Sequence, residues 1–201
     1  MDHDQLLQDS VDLAVSVIRD TPLARYDDPT PCTDFTVADL INHIAFGFVL
    51  ARCSGSREPW DPSWTSDSPA PVLDGLPREQ WARAAAEAGA QVGAAWADPS
   101  SWTGDSHMGG AQMPAAVIGS MMTGEFAVHA WDLASAIGRT VEVGPGLGEV
   151  ALESMTGMAQ MGREAGWIGP EVAVAVDAPA FERALGTAGR DPAWTPARLS
   201  R

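Results

Sequence analysis

The sequence predicts a mainly α-helical fold, and three observations carry that prediction. Apolar residues recur at helical spacing in five long segments. Clusters of Pro, Gly, Asp and Ser separate those segments, and strand-type alternation is confined to one short stretch near the end. Apolar residues make up 45% of the 201-residue chain, which suits one substantial core.

The first helix is expected over residues 2–19, with Leu6, Leu7, Leu13, Val17 and Ile18 on its apolar side and Thr21-Pro22 as its stop. Residues 20–35 form a connector in which Pro29 and Pro31 discourage regular structure. Thr36 then stands as an N-cap, with Asp39 in the place of a capping-box acid. The second helix runs from there to about Ala51 on a stripe of Val37, Leu40, Ile41, Ile44 and Phe48. Phe46, Val49 and Leu50 widen its apolar surface, so it is expected to be central or to lie in a subunit interface.

A long loop follows from Gly55 to Pro77, and its Trp60 and Trp64 suit a segment folded back over a surface. The third helix is expected over 78–96, with Trp81, Ala85, Val92 and Trp96 inward, and residues 98–111 as a second loop. The fourth helix spans about 111–137, with Pro114 in its first turn and Gly138 ending it. A fifth covers about 146–165, where the methionines read as core packing. Beyond it, Val172, Val174 and Val176 alternate as a short strand, and a short helix surrounds residues 181–185.

Composition narrows the partners. Formal net charge is −15, and all 12 basic residues are Arg, so nucleic acid and anionic membranes should be repelled. No run of about 18 apolar residues marks a membrane span. The N-terminal residues lack the basic and apolar pattern of a signal peptide, so a cytoplasmic location is expected. Cys32 and Cys53 are too few and too far apart for a disulfide scaffold and read as buried or incidental thiols.

Helix four holds the unusual chemistry. Glu125, His129 and Asp132 fall at i, i+4 and i+7, on the side shared by Ile118, Met121, Met122 and Ala136. Polar groups in an apolar stripe need partners, either a metal ion or a hydrogen-bond network among themselves. His43, on the flank of helix two, is the distant residue that could join them, whereas His3 and His107 lie outside the stripes. Two imidazoles and a carboxylate suit Zn²⁺, Ni²⁺, Fe²⁺ or Mn²⁺ and leave a coordination position open. Asp132 would then orient a ligating histidine. No nucleophile elbow, dinucleotide fingerprint or phosphate loop is present.

The segment from Thr30-Pro31-Cys32-Thr33-Asp34-Phe35 through Asn42-His43 resembles the opening of the second helix in DinB-like proteins, in the branch that includes mycothiol-dependent maleylpyruvate isomerase. Glu125-Phe126-Ala127-Val128-His129-Ala130-Trp131-Asp132 resembles the second signature of that branch. The ending, from Asp177 through Arg183 to Gly189-Arg190-Asp191-Pro192, is similar to small actinobacterial members. The resemblance implies a DinB-like four-helix bundle with an extra helix and a short, partly extended C-terminal appendage. It divides the chain into a metal-binding bundle at 1–166 and an appendage at 167–201. It also implies His43, Glu125 and His129 as ligands of a divalent metal, usually zinc, and a low-molecular-weight thiol such as mycothiol as co-substrate. The isomerase has a longer C-terminal α/β domain that contributes to its active site, so the resemblance implies thiol transfer or isomerisation on a small molecule as the reaction class, without that specific reaction.

Three functions compete at this point. One is a thiol-dependent metalloenzyme acting on a small molecule, with Arg52 or Arg190 as cations for an anionic thiol or substrate. The second is a non-catalytic metal-binding or interaction module, such as a homodimer formed through helix two. The third is a structural bundle whose polar groups pair with one another.

Overall fold

A computed structural model describes residues 2–64 and 72–196. Six helices dominate it: α1 (His3–Asp20), α2 (Val37–Ser56), α3 (Trp81–Trp96), α4 (Ala115–Ala136), α5 (Pro145–Glu164) and α6 (Ala180–Thr187). The first four close a ring in which α1 packs on α3 and α4, and α2 packs on the same two. Ile44 and Phe48 of α2 and Ile118, Phe126 and Leu133 of α4 fill its interior. Helix α5 lies outside the ring against α4, and α6 lies against α5. A second core of Val128, Ala151, Met155, Ala184, Leu185 and Ala188 seals that outer layer. The mainly α bundle with an extra helix is therefore as expected.

The double role of α4 explains its composition. One side enters the bundle core and the other supports α5 and α6, so the helix is apolar nearly all round. Helix α2 is apolar for a related reason. It is long and apolar enough to cross a membrane, but 67% of that stretch is buried inside the bundle. It also runs five residues past the expected Ala51, to an end where Arg57 takes the left-handed conformation (φ 54°). The start is as expected: Thr36 Oγ1 accepts from Asp39 N (3.2 Å), and Thr36 N donates to Asp39 Oδ2 (3.0 Å). Replacing Thr36 by alanine should cost about 1 kcal/mol in urea unfolding, and an unchanged midpoint would contradict this role for the cap.

Two local readings need correction. Residues 105–114 are not a plain loop but an antiparallel hairpin, β1 (Asp105–Met108) and β2 (Ala111–Pro114). Gly109 and Gly110, at φ 57° and 84°, form its two-residue turn. Helix α4 consequently starts four residues later than expected, and Pro114 precedes it instead of lying in its first turn. The hairpin is tied to the end of α2, since Ser106 Oγ donates to Ser54 O (2.6 Å) and Ser54 Oγ to His107 O (2.8 Å).

Residues 172–176 are extended but pair with no strand among the described residues. Val172 N donates to Gly186 O (3.0 Å), and Val174 packs against Gly186, so the segment is a strap over α6. Val176 is 89% exposed, which shows that the alternation had no second face to bury. Residues 65–71 of the tryptophan loop and the last five residues lie outside the described chain.

Candidate metal centre

The site is built where α2 crosses α4. His43 sits on the flank of α2, and its ring lies 5.1 Å from that of Phe35 and edge-on to that of His129 at 4.8 Å. The chain before α2 is pinned close by: a bridge joins Pro29 to Thr36, and Thr30 Oγ1 donates to the carbonyls of Cys32 and Phe35. Glu125 lies between the two imidazoles. Its Oε1 is 3.0 Å from His43 Nε2 and 3.1 Å from His129 Nε2. One donor atom from each of His43, Glu125 and His129 falls within 4.8 Å of the others.

A second line of groups holds His129 from behind. Asp132, fully buried, accepts from His129 Nδ1 at 2.9 Å. The Arg190 guanidinium reaches Asp132 from the segment after α6, with Nη2 3.0 Å from Oδ2, and its Nη1 donates to Ala188 O (2.7 Å). Arg190 is itself buried, so this is an internal ion pair and not a free cation. Arg52 is also committed, pairing with Glu58 about 13 Å along α2 from His43.

Electrostatics follow from these contacts. Burial would push the Glu125 carboxyl up, but the His129 charge and hydrogen bonds from both imidazoles hold it well below the usual carboxylate range. Burial likewise opposes ionisation of Asp132, and Arg190 overcomes it and lowers the pKa. Both carboxylates can then only accept, so in the absence of a cation each His129 nitrogen carries a proton. Burial works against that imidazolium, yet Glu125 and Asp132 raise its pKa to about 9.

The pH dependence of cation-free protein has a definite sign. The His129 pKa is raised from 6.5 to about 9, so its contribution is fully present below 6.5 and is lost as pH climbs through 9. Thermal stability should therefore decline between those values in chelator. A divalent cation needs the Nε2 lone pair and displaces a proton, so its affinity should rise over the same window. Thermal scans with and without added Zn²⁺ check both slopes, and parallel curves would contradict the competition.

The donor set fits a divalent ion. Metal–ligand distances of about 2.0–2.1 Å in a tetrahedral shell place donors about 3.3 Å apart, close to the 3.0 and 3.1 Å found here. Asp132 fixes the His129 tautomer that turns Nε2 toward Glu125, the usual support for a ligating imidazole. The same contacts also satisfy these groups without an ion, and no buried side-chain polar atom is unpaired among the described residues.

Some residues fall elsewhere. His3 packs beside Trp102, and His107, on β1, places Nε2 3.1 Å from Glu58 O. Cys53 is buried at the end of α2, 3.3 Å from Arg52 Nη2. Cys32, read as a buried or incidental thiol from sequence, lies with its sulfur within 4.8 Å of donor atoms of His129 and Asp132. Burial pushes its thiol up to about 12, against the Arg190 charge, so it stays protonated at neutral pH. Its place just ahead of α2 was visible in the sequence, but its approach to α4 depends on the fold of residues 29–36.

Comparison with known proteins points one way. A sequence profile described as the mycothiol maleylpyruvate isomerase N-terminal domain matches residues 7–134, a span that holds His43, Glu125, His129 and Asp132 but not Arg190. Among solved structures, the fold is similar to the crystal structure of a histidine-to-alanine mutant of the mycothiol-dependent maleylpyruvate isomerase. The TM-score is 0.60, with 16% identity over 78% of this chain and 68% of that one. At that identity the likeness concerns the fold alone. No curated protein matches the chain.

Proposed function

The chain belongs to the mycothiol maleylpyruvate isomerase N-terminal domain family, and from that premise we propose that it is a thiol-dependent metalloenzyme acting on a small molecule. The observation that carries this reading is the convergence of His43, Glu125 and His129 from two helices on one point, backed by Asp132. In this reading residues 1–166 carry the centre, and the appendage at 167–201 braces it through Arg190.

The chain's own residues have distinct parts. His43 and His129 present Nε2, and Glu125 presents a carboxylate kept ionised by its surroundings. Asp132 holds the His129 ring in place and keeps the proton on Nδ1, and Arg190 holds Asp132. His43, Glu125 and His129 would hold a zinc or similar ion, which would supply the Lewis acidity that lowers the pKa of a low-molecular-weight thiol of the mycothiol type. Helices α5 and α6 shelter the far side of α4, while His43 and Glu125 remain 28% and 30% exposed and leave an approach for thiol and substrate. Work with a reduced thiol fits a cytoplasmic protein with two free cysteines.

The test combines metal analysis with a thiol-consumption screen on purified protein. The reading expects one divalent ion per chain and thiol turnover that a chelator abolishes. Turnover that persists in chelator would sink it. The closed hydrogen-bond network supports a second reading, a bundle whose polar groups pair only with one another. That reading expects no bound metal and an unchanged melting temperature in chelator.

A further inference from the structure

The exposed edges of His43 and Glu125 open onto an apolar track that the metal centre does not use. A Cβ added at Gly47 would lie 3.0 Å from the Phe126 ring and 3.6 Å from the Met122 methyl, while His43 meets Glu125 and His129. The two helices are therefore antiparallel, and the turns after His43 on α2 face the turns before Glu125 on α4. On α4 that direction brings Met121 and Val117, at i−4 and i−8 from Glu125. Val117 is 47% exposed and Met121 partly so, on a helix that is otherwise mostly buried. On α2 it brings Phe46 and Leu50. Trp60 closes over Phe46 with ring centres 5.9 Å apart, and Trp64 meets Trp60 edge-on at 5.3 Å.

None of the five side chains of the track, Phe46, Leu50, Trp60, Val117 and Met121, carries a charge. The chain contains no Lys, and among the described arginines Arg190 is taken by Asp132, Arg52 by Glu58, and Arg57, at the end of α2, by the carbonyls of Ser100, Thr103 and Asp105. At the centre, a dication would be balanced by Glu125 and one thiolate, and Arg190 is balanced by Asp132. A carboxylate brought into the track would lose its hydration with no cation from these five side chains in return.

Resting on the thiol-dependent reading, we propose that the track of Phe46, Leu50, Trp60, Val117 and Met121 binds the second substrate. It selects an uncharged, apolar aromatic or alkyl compound over one that carries carboxylates. Trp60 is the cover of this subsite, and Met121 is its floor beside Glu125.

Methyl benzoate and benzoate form a matched pair that does not consume thiol. Their binding to full-length, zinc-supplemented protein with saturating mycothiol is measured by ligand-observed NMR, and zinc content is determined on the same samples. The ester should bind at least about ten-fold more tightly than the carboxylate, the cost of leaving a charge unpaired against an apolar wall. Trp60→Ala should weaken the ester without changing zinc content, and Met121→Arg, at a partly exposed position, should narrow or reverse the preference. Benzoate binding as tightly as the ester would overturn the proposal, as would a ratio unchanged in both variants. The same comparison in chelator reads the track alone, so failure to retain zinc would count against the metal centre, while the ratio of ester to benzoate still decides the subsite.

Discussion

Replacing His129 with alanine should lower zinc affinity more than a hundred-fold, and His43→Ala should do the same. Structural zinc sites bind with about 10–16 kcal/mol, so an even share over four ligands puts each near 3 kcal/mol, or more than about a hundred-fold in affinity. His129→Ala carries an added effect, because it removes the partner through which Asp132 acts. Competition with a chromophoric chelator reads both variants, and circular dichroism shows whether each is folded. A folded His43→Ala protein with unchanged zinc affinity would remove His43 from the centre. Asp132→Ala should be milder for the metal, about 10–100-fold, as expected of a group that acts through a ligand.

The second large effect concerns Arg190. Cutting it to alanine takes the guanidinium from the fully buried Asp132 carboxylate and leaves it only the His129 ring, and breaking a buried pair from one side costs about 3–5 kcal/mol. Denaturant unfolding should show a loss of that order. Arg190→Lys should recover little, since an ammonium cannot replace contacts of Nε and Nη2 with Asp132 together with Nη1 to the Ala188 carbonyl. Replacing both partners, with Asp132→Asn and Arg190→Leu, should cost less than Arg190→Ala alone. A loss below about 1 kcal/mol for Arg190→Ala would mean that the pair contributes nothing beyond a surface contact.

Which of these residues could be read from the sequence depended on the range of the interaction. Helical periodicity placed five helices because each buries a stripe set by its own spacing, and the Thr36–Asp39 box is contained in four residues. The hairpin at 105–114 was missed although Gly109-Gly110 is a local turn signal, because its strands are short and β2 runs directly into α4. The valine alternation misled for the opposite reason, since a strand needs a partner and none lies beside residues 172–176 among those described.

The site divides in the same way. Glu125, His129 and Asp132 stand out within one helix, His43 stands on the flank of the second helix as their distant partner, and resemblance to a family makes it a ligand. The role of Arg190 was not legible, because its charge suggests an exposed ligand for anions. Only the packing of the segment after α6 onto α4 shows it facing Asp132. Cys32 likewise gains a neighbourhood only when residues 29–36 fold against α4.

The central claim is that His43, Glu125 and His129 hold a divalent ion with a position left for a thiolate. Cobalt-substituted protein tests it most directly, because the optical spectrum of Co²⁺ reports both geometry and sulfur ligation. A three-residue centre of this kind predicts the intense visible bands of a low-coordinate site and a new sulfur-to-metal charge-transfer band when mycothiol is added, with both lost in His43→Ala. A weak spectrum like that of aqueous Co²⁺, unchanged by the thiol and by the substitution, would contradict it.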